Sequence, residues 1–179
     1  MGMKVLIISG GVSGGYTDRM CGDLSSILSG EHEVRHISSE LDIAQCTGCQ
    51  ACSGGRCRFD DDMGTVFREF EEADAVIFST PVRFNGPSSQ IKIIMDRFQE
   101  IWNNPGRMEA RPRLMGLMMT SGSPNPDIRP NLTIFRSFCM SFGGVWIGHS
   151  IVKDTDSGSA DLKEGAKEMA DQLSSAMMR

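Results

Sequence analysis

The segment QCTGCQACSGGRCRFDDDMG, residues 45–64, places four of the chain's six cysteines within twelve positions. Cys46, Cys49, Cys52 and Cys57 follow the spacing C-x2-C-x2-C-x4-C. Two-residue gaps bring consecutive thiolates to neighbouring corners of a cubane. The longer last gap, SGGR, has the glycines needed to bring Cys57 round to the fourth corner. Four thiolates, no histidine and one compact loop at 45–59 therefore suit a [4Fe-4S] cluster. Two alternatives stay open: a zinc clip, which usually presents two separated cysteine pairs, and cysteines kept for packing.

A second candidate is SGGVSGGYT, residues 9–17, which joins an apolar run to a helical pattern. Backbone amides and the helix dipole make such a junction an anion site, and glycines let the main chain approach a phosphate. The spacing gives neither G-x-G-x-x-G nor a nucleoside-triphosphate loop, because Gly15 is followed by Tyr16 rather than lysine. Ser9, Ser13, Tyr16 and Thr17 supply hydroxyl groups, and no cation is present. A plain strand-to-helix turn is the alternative. Little else carries chemistry. His32, His36 and His149 fall in separate segments, and no serine sits in a nucleophile-elbow pattern. Asp60, Asp61 and Asp62 are read as an acidic helix start rather than a metal site. Cys21 and Cys139 are expected in the core, as are most of the thirteen methionines. Arg107, Arg111 and Arg113 give segment 103–113 two readings, a solvated loop or one that closes over an anionic electron donor.

The elements that must position these groups alternate. Strands are expected at 4–9, 33–37, 74–80, 114–120 and 144–152. Helices are expected at 17–29, capped by Gly30, after Asp62 with Met63, Val66, Phe67 and Phe70 inward, at 88–102, at 130–142 and at 161–177. The buried faces would include Ile27 in the first helix, Trp102 in the third and Met177 in the last. The alternation predicts one α/β domain over 1–179, a flavodoxin-like three-layer sandwich with a five-stranded parallel sheet of order 2-1-3-4-5. Ligands belong at the carboxyl ends of its strands. The net charge of −5, with scattered basic residues, gives no footprint for nucleic acid. No apolar run approaches the roughly 20 residues that span a bilayer. The start MGMKVLIISG reads as a strand rather than a signal peptide, so a reducing cytoplasm is expected, where structural disulfides are rare.

Two further loops carry a resemblance. STPVRFNGPSSQIKIIMDRF, residues 79–98, has Thr80, Pro81, Val82, Arg83, Phe84, Asn85 and Gly86 in a turn, with Gln90, Lys92, Asp96 and Arg97 behind it. MTSGSPNP, residues 119–126, follows the fourth strand. With the glycine loop, these resemble the NADPH-dependent FMN reductase and iron-sulfur flavoprotein families, whose members carry a Ser-Pro-Val-aromatic turn leading into a Gln-x-Lys helix that ends Asp-Arg. The resemblance spans roughly 4–152. It implies that Ser9, Gly11, Ser13, Gly15, Tyr16 and Thr17 hold the FMN phosphate, and that Pro81 to Gly86 with Ser121 and Gly122 hold the ring. It also implies that Cys46, Cys49, Cys52 and Cys57 ligate a [4Fe-4S] cluster. The implied activity is flavin-centred electron transfer with no catalytic side chain and with NAD(P)H or ferredoxin as donor. The implied assembly is a homodimer or dimer of dimers; Trp102 and Trp146 are expected in the core, with a role at that interface as the alternative. An NAD(P)H-dependent FMN or quinone reductase without a cluster, and a non-catalytic electron carrier, are the alternatives. Tyr16 stands where the family commonly has asparagine, and Arg83 where it has an aromatic. The arginine is expected either beside the flavin ring, favouring its anionic reduced form, or in solvent.

Overall fold

A computed structural model describes residues 2–38, 40–109 and 111–178. The apolar runs KVLIIS and AVIFSTP form the central strands β1 (Lys4–Ser9) and β3 (Ala75–Pro81), buried on both faces. Around them β2 (Glu33–Ile37), β4 (Arg113–Thr120) and β5 (Gly144–Val152) complete a parallel sheet of order β2-β1-β3-β4-β5, the expected topology. Side chains alternate across it. Leu6, Ile8, Val76 and Phe78 point to one layer, and Val5, Ile7, Ala75 and Ile77 to the other. The second layer is closed by α1 (Tyr16–Leu28) and α6 (Leu162–Met177) through Met20, Leu24, Met169 and Leu173. The first is closed by α2 (Met63–Glu72), α3 (Ser89–Arg97) and α5 (Arg129–Ser141). No helix of the described residues is long and apolar enough to cross a membrane.

Several local expectations are corrected. The helix expected over 88–102 is two helices, α3 and the short α4 (Gln99–Asn103). At the junction the Phe98 N–H donates three residues back to Met95 O, and the Phe98 carbonyl accepts from Ile101 and Trp102. Phe98 itself is fully buried and packs edge-on against Phe67, Phe70, Phe138 and Phe142, with ring centroids 4.8 to 5.2 Å apart. That packing sets the break, and α4 leaves Trp102 exposed rather than in the core. Ile27 and Met177, expected inward, are also exposed. Helix α1 ends at Leu28 with Ser29 in the cap position, so Gly30 lies beyond it. Trp146 is partly buried, with the Arg136 guanidinium 5.5 Å from its ring centre.

Most described residues of the arginine segment, Arg107 included, are exposed, as expected of a solvated loop, but Arg111 and Arg113 are tied to the protein. Arg111 donates to the carbonyls of Glu71, Glu72 and Ala73 and pairs with Asp74 at 2.8 Å. Arg113, 2% exposed, donates to Phe70 O and Glu71 O at 3.0 Å. These carbonyls end α2, so two cations satisfy the orphan acceptors where the helix dipole is negative. Arg113→Met leaves buried carbonyls without donors and is expected to cost about 1–3 kcal/mol in urea unfolding. A cost near zero would refute the capping role.

Candidate functional site

A cleft of about 470 Å³ opens at the carboxyl ends of β1, β3, β4 and β5, within the size range of small-ligand sites. Its first wall is the glycine loop. Gly10 is locked by its N–H to Ser79 O (2.7 Å) and by Ser88 Oγ donating to its carbonyl (2.7 Å). A Cβ on Gly10 would stand 2.6 Å from that hydroxyl, and one on Gly11 would stand 2.6 Å from Thr17 Cβ, so only glycine allows the loop to pack this closely. The loop then delivers Tyr16, Thr17 and Asp18 to the first turn of α1. Their N–H groups have no acceptor four residues back, the arrangement that binds anions. Gly11, Gly15, Tyr16 and Thr17 line the cleft. Ser9 is buried below it and accepts the Gly11 N–H, and Ser13 is exposed outside it.

The second wall is a hairpin in which Arg83 and Gly86 exchange both backbone hydrogen bonds at 2.8 Å. Phe84 and Asn85 form its turn with φ of 48° and 64°, both in the left-handed region of the tightest hairpin loops. Pro81, Val82, Arg83, Phe84 and Asn85 line the cleft, whereas Gly86 only closes the hairpin. Arg83 and Phe84 are exposed at its rim. The third wall carries Ser121 and Gly122. Sequence reasoning missed Thr120, whose hydroxyl pairs with that of Thr17 at 2.6 Å. It also missed Thr155 and Asp156 at the end of β5. A polar KDTDS following a strand was the available signal.

The cysteine loop leaves β2 and packs on α3 and α4. Cys46, Cys49, Cys52 and Cys57 all line one depression of about 720 Å³, together with Asp96, Gln99 and Asn103. None of them is in a disulfide. Gln50, Gly48 and Gly55, all with positive φ, turn the chain around the depression. An ion pair clamps its ends. Arg97 donates to both oxygens of Asp61 at 2.6 and 3.1 Å and to Ala44 O at 2.8 Å, and Asp61 accepts from the N–H groups of Ala44 and Met63. Asp61 is thus both a helix-start charge, through the Met63 N–H at the first residue of α2, and a bridge to Arg97 and Ala44. Burial alone would push its carboxyl up, but Arg97 and the two amides outweigh this and hold it below the usual range. From the other side, Asn104 donates to Cys52 O at 2.7 Å, and Arg107 donates to Gly55 O at 3.1 Å while pairing with Glu100. The Ala51 N–H, more than any other group, lowers the Cys49 thiol. Among the described residues, no three His, Cys, Asp or Glu side chains are gathered closely enough to hold a single metal ion. The donor set nonetheless fits an iron-sulfur cluster in kind: four unpaired thiols, with no histidine, facing one depression.

Helix α3 joins the two places. Its N-cap Ser88 holds the glycine loop and its last residue, Arg97, holds the cysteine loop. The nine residues of the helix span about 13 Å, at ~1.5 Å per residue. Residues 3–155 match the NADPH-dependent FMN reductase family. The chain belongs to that family. Over 152 residues it is 35% identical to an iron-sulfur flavoprotein of Methanocaldococcus jannaschii, covering 82% of this chain and 76% of that one. It is 33% identical over 98 residues to an iron-sulfur flavoprotein of Archaeoglobus fulgidus, spanning 55% of this chain and about half (47%) of that relative. A flavodoxin, WrbA-like protein from Agrobacterium tumefaciens has the same fold, with TM-score 0.65, 18% identity and 99% of each chain covered. The match places this FMN reductase family member's glycine loop, hairpin and third loop all within the family region.

Asp61→Asn is expected to destabilise the protein by about 3 kcal/mol at neutral pH. Because Asp61 is held below its unfolded value, its contribution is full above that value, near 4, and is lost as pH falls through the depressed one. The gap between wild type and variant in urea unfolding should therefore shrink from pH 7 to pH 3.5. A constant gap would remove the ion pair from the account.

Proposed function

We propose that the protein is an FMN-dependent oxidoreductase that carries a [4Fe-4S] cluster on Cys46, Cys49, Cys52 and Cys57 and exchanges electrons between the two groups. The observation that carries this is that all four cysteines of the loop, none of them in a disulfide, line one depression clamped to the helix whose other end borders the cleft. Two relatives named iron-sulfur flavoproteins support it. Bound FMN supplies both two-electron and one-electron chemistry and a cluster supplies one-electron transfer, so a chain holding both converts between them. The residues of this chain bind and orient. The amides of Tyr16, Thr17 and Asp18 receive the phosphate, while the 83–86 hairpin and the Ser121–Gly122 loop bracket the ring. No side chain is assigned an acid or base role. NAD(P)H or ferredoxin as donor, a homodimer or dimer of dimers, and a cytoplasmic setting that keeps the thiols reduced belong to the same reading.

Protein purified without oxygen is expected to contain FMN and about four irons per chain with matching sulfide. Cys49→Ser should lose iron and retain FMN, and full iron retention would count against the ligand assignment. Flavin with no iron in the wild type would instead remove the cluster, and turnover of NAD(P)H with an acceptor would then separate a reductase from a non-catalytic carrier. Arg83, exposed at the rim of the cleft, adds a second expectation. A cation there favours the anionic reduced flavin. Arg83→Ala should shift the flavin midpoint potential in the negative direction, and an unchanged potential retires that role.

A further inference from the structure

We propose that Asn103, oriented by Gln99, is a positioning residue that sets the redox potential of the cysteine site by donating a hydrogen bond to the Cys52 sulfur. The inference rests on the cluster reading above. Asn103 Nδ2 lies 3.3 Å from Cys52 Sγ, and Asn103 Oδ1 accepts from Gln99 Nε2 at 2.9 Å. The two amides are four residues apart on α4, hence on one helix face, and both line the depression. The Gln99 contact occupies the amide oxygen, so the nitrogen is the end turned toward sulfur.

Cys52 is reached from outside the loop, with Asn103 on its sulfur and Asn104 on its carbonyl. A residue needed only to fasten the loop would do as Asn104 does and bind the backbone. Asn103 spends its donor on sulfur, with Ser53 Oγ as the other acceptor at 3.4 Å. Each electron added to a thiolate-bound cluster raises the negative charge on its sulfurs. A donor at sulfur therefore stabilises the reduced form more than the oxidised form and raises the potential.

The test uses anaerobically purified wild type, Asn103→Leu, Asn103→Asp and Gln99→Leu, each titrated potentiometrically with the cluster followed by visible and electron paramagnetic resonance spectra and the flavin by its own bands. The expected order of cluster midpoint potentials is wild type above Asn103→Leu above Asn103→Asp, because the first change removes a donor and the second also adds a negative charge. Gln99→Leu should shift the potential in the same direction by less. The flavin potential, iron and sulfide should stay at wild-type values. Loaded variants that titrate at the wild-type potential overturn the proposal and leave the cluster reading standing. Should Asn103→Leu fail to load, Gln99→Leu, which keeps Asn103, carries the test. Wild type without iron defeats the cluster reading and this inference with it, an outcome seen before any variant is made.

Discussion

The arrangement of the candidate site depends on one buried ion pair. Arg97 and Asp61 meet at 2.6 Å with the guanidinium side chain 2% exposed, and each also holds Ala44, one through its carbonyl and one through its N–H. Ala44 lies just before the first cysteine of the loop and Asp61 just after the last. The pair therefore draws both ends of a long, largely exposed segment to a single point on α3. Removing two charges from water is costly, and such a pair is weak evidence for stability by itself. What it supplies is position. A loop fastened at both ends can present four thiols to one depression without a core of its own beneath them.

The same helix explains why the two candidate places hold a fixed relation to each other. Ser88 caps α3 by accepting from Ile91 N–H and uses the same hydroxyl to hold Gly10. Nine residues later Arg97 holds the cysteine loop, and the next residue, Phe98, enters a cluster of four phenyl rings from α2 and α5. Packing this dense leaves little freedom for α3 to slide. The break after Arg97 also redirects α4 so that Gln99 and Asn103 face the depression while Trp102 is exposed. A single straight helix over 88–102 would not be free to set these faces independently.

The sheet order and the strand limits were legible because β1 and β3 are continuous apolar runs bounded by loops, a pattern that burial on both faces enforces. The cleft was legible loop by loop, since short motifs at strand ends reach it through local geometry. The third dimension of the site was not. Nothing in the spacing of Asp61 and Arg97, 36 positions apart, marks them as partners, and an aspartate before a helix has a cheaper local explanation. Arg111 and Arg113 misled for a related reason: a loop rich in arginine reads as solvated until the carbonyls it caps, some forty residues earlier, are folded against it. The helix break at Phe98 was hidden because Ile91, Ile94, Met95 and Phe98 keep helical spacing through it. Only the packing of five rings decides where the chain must turn.

Charge is distributed unevenly along the cleft. At the glycine loop the groups available to an anion are backbone amides, and the nearby Asp18 is turned back, accepting the Gly14 N–H and lying 3.6 Å from His36 Nε2. Burial lowers the His36 imidazole pKa, although Asp18 pulls it the other way. At the opposite walls stand the two charged side chains among the described residues that line the cleft, Arg83 and Asp156. Gly122 makes room for the carboxylate, since a Cβ there would fall 2.4 Å from Asp156 Oδ2. With FMN placed as proposed, its phosphate at the glycine loop and its ring between the hairpin and the Ser121–Gly122 loop, this division would be functional. A phosphate keeps its charge throughout a redox cycle and is adequately held by neutral donors fixed in place, whereas the ring gains charge on reduction. Formal charges placed at the ring end act on the difference between oxidised and reduced states, which is the quantity that sets a potential.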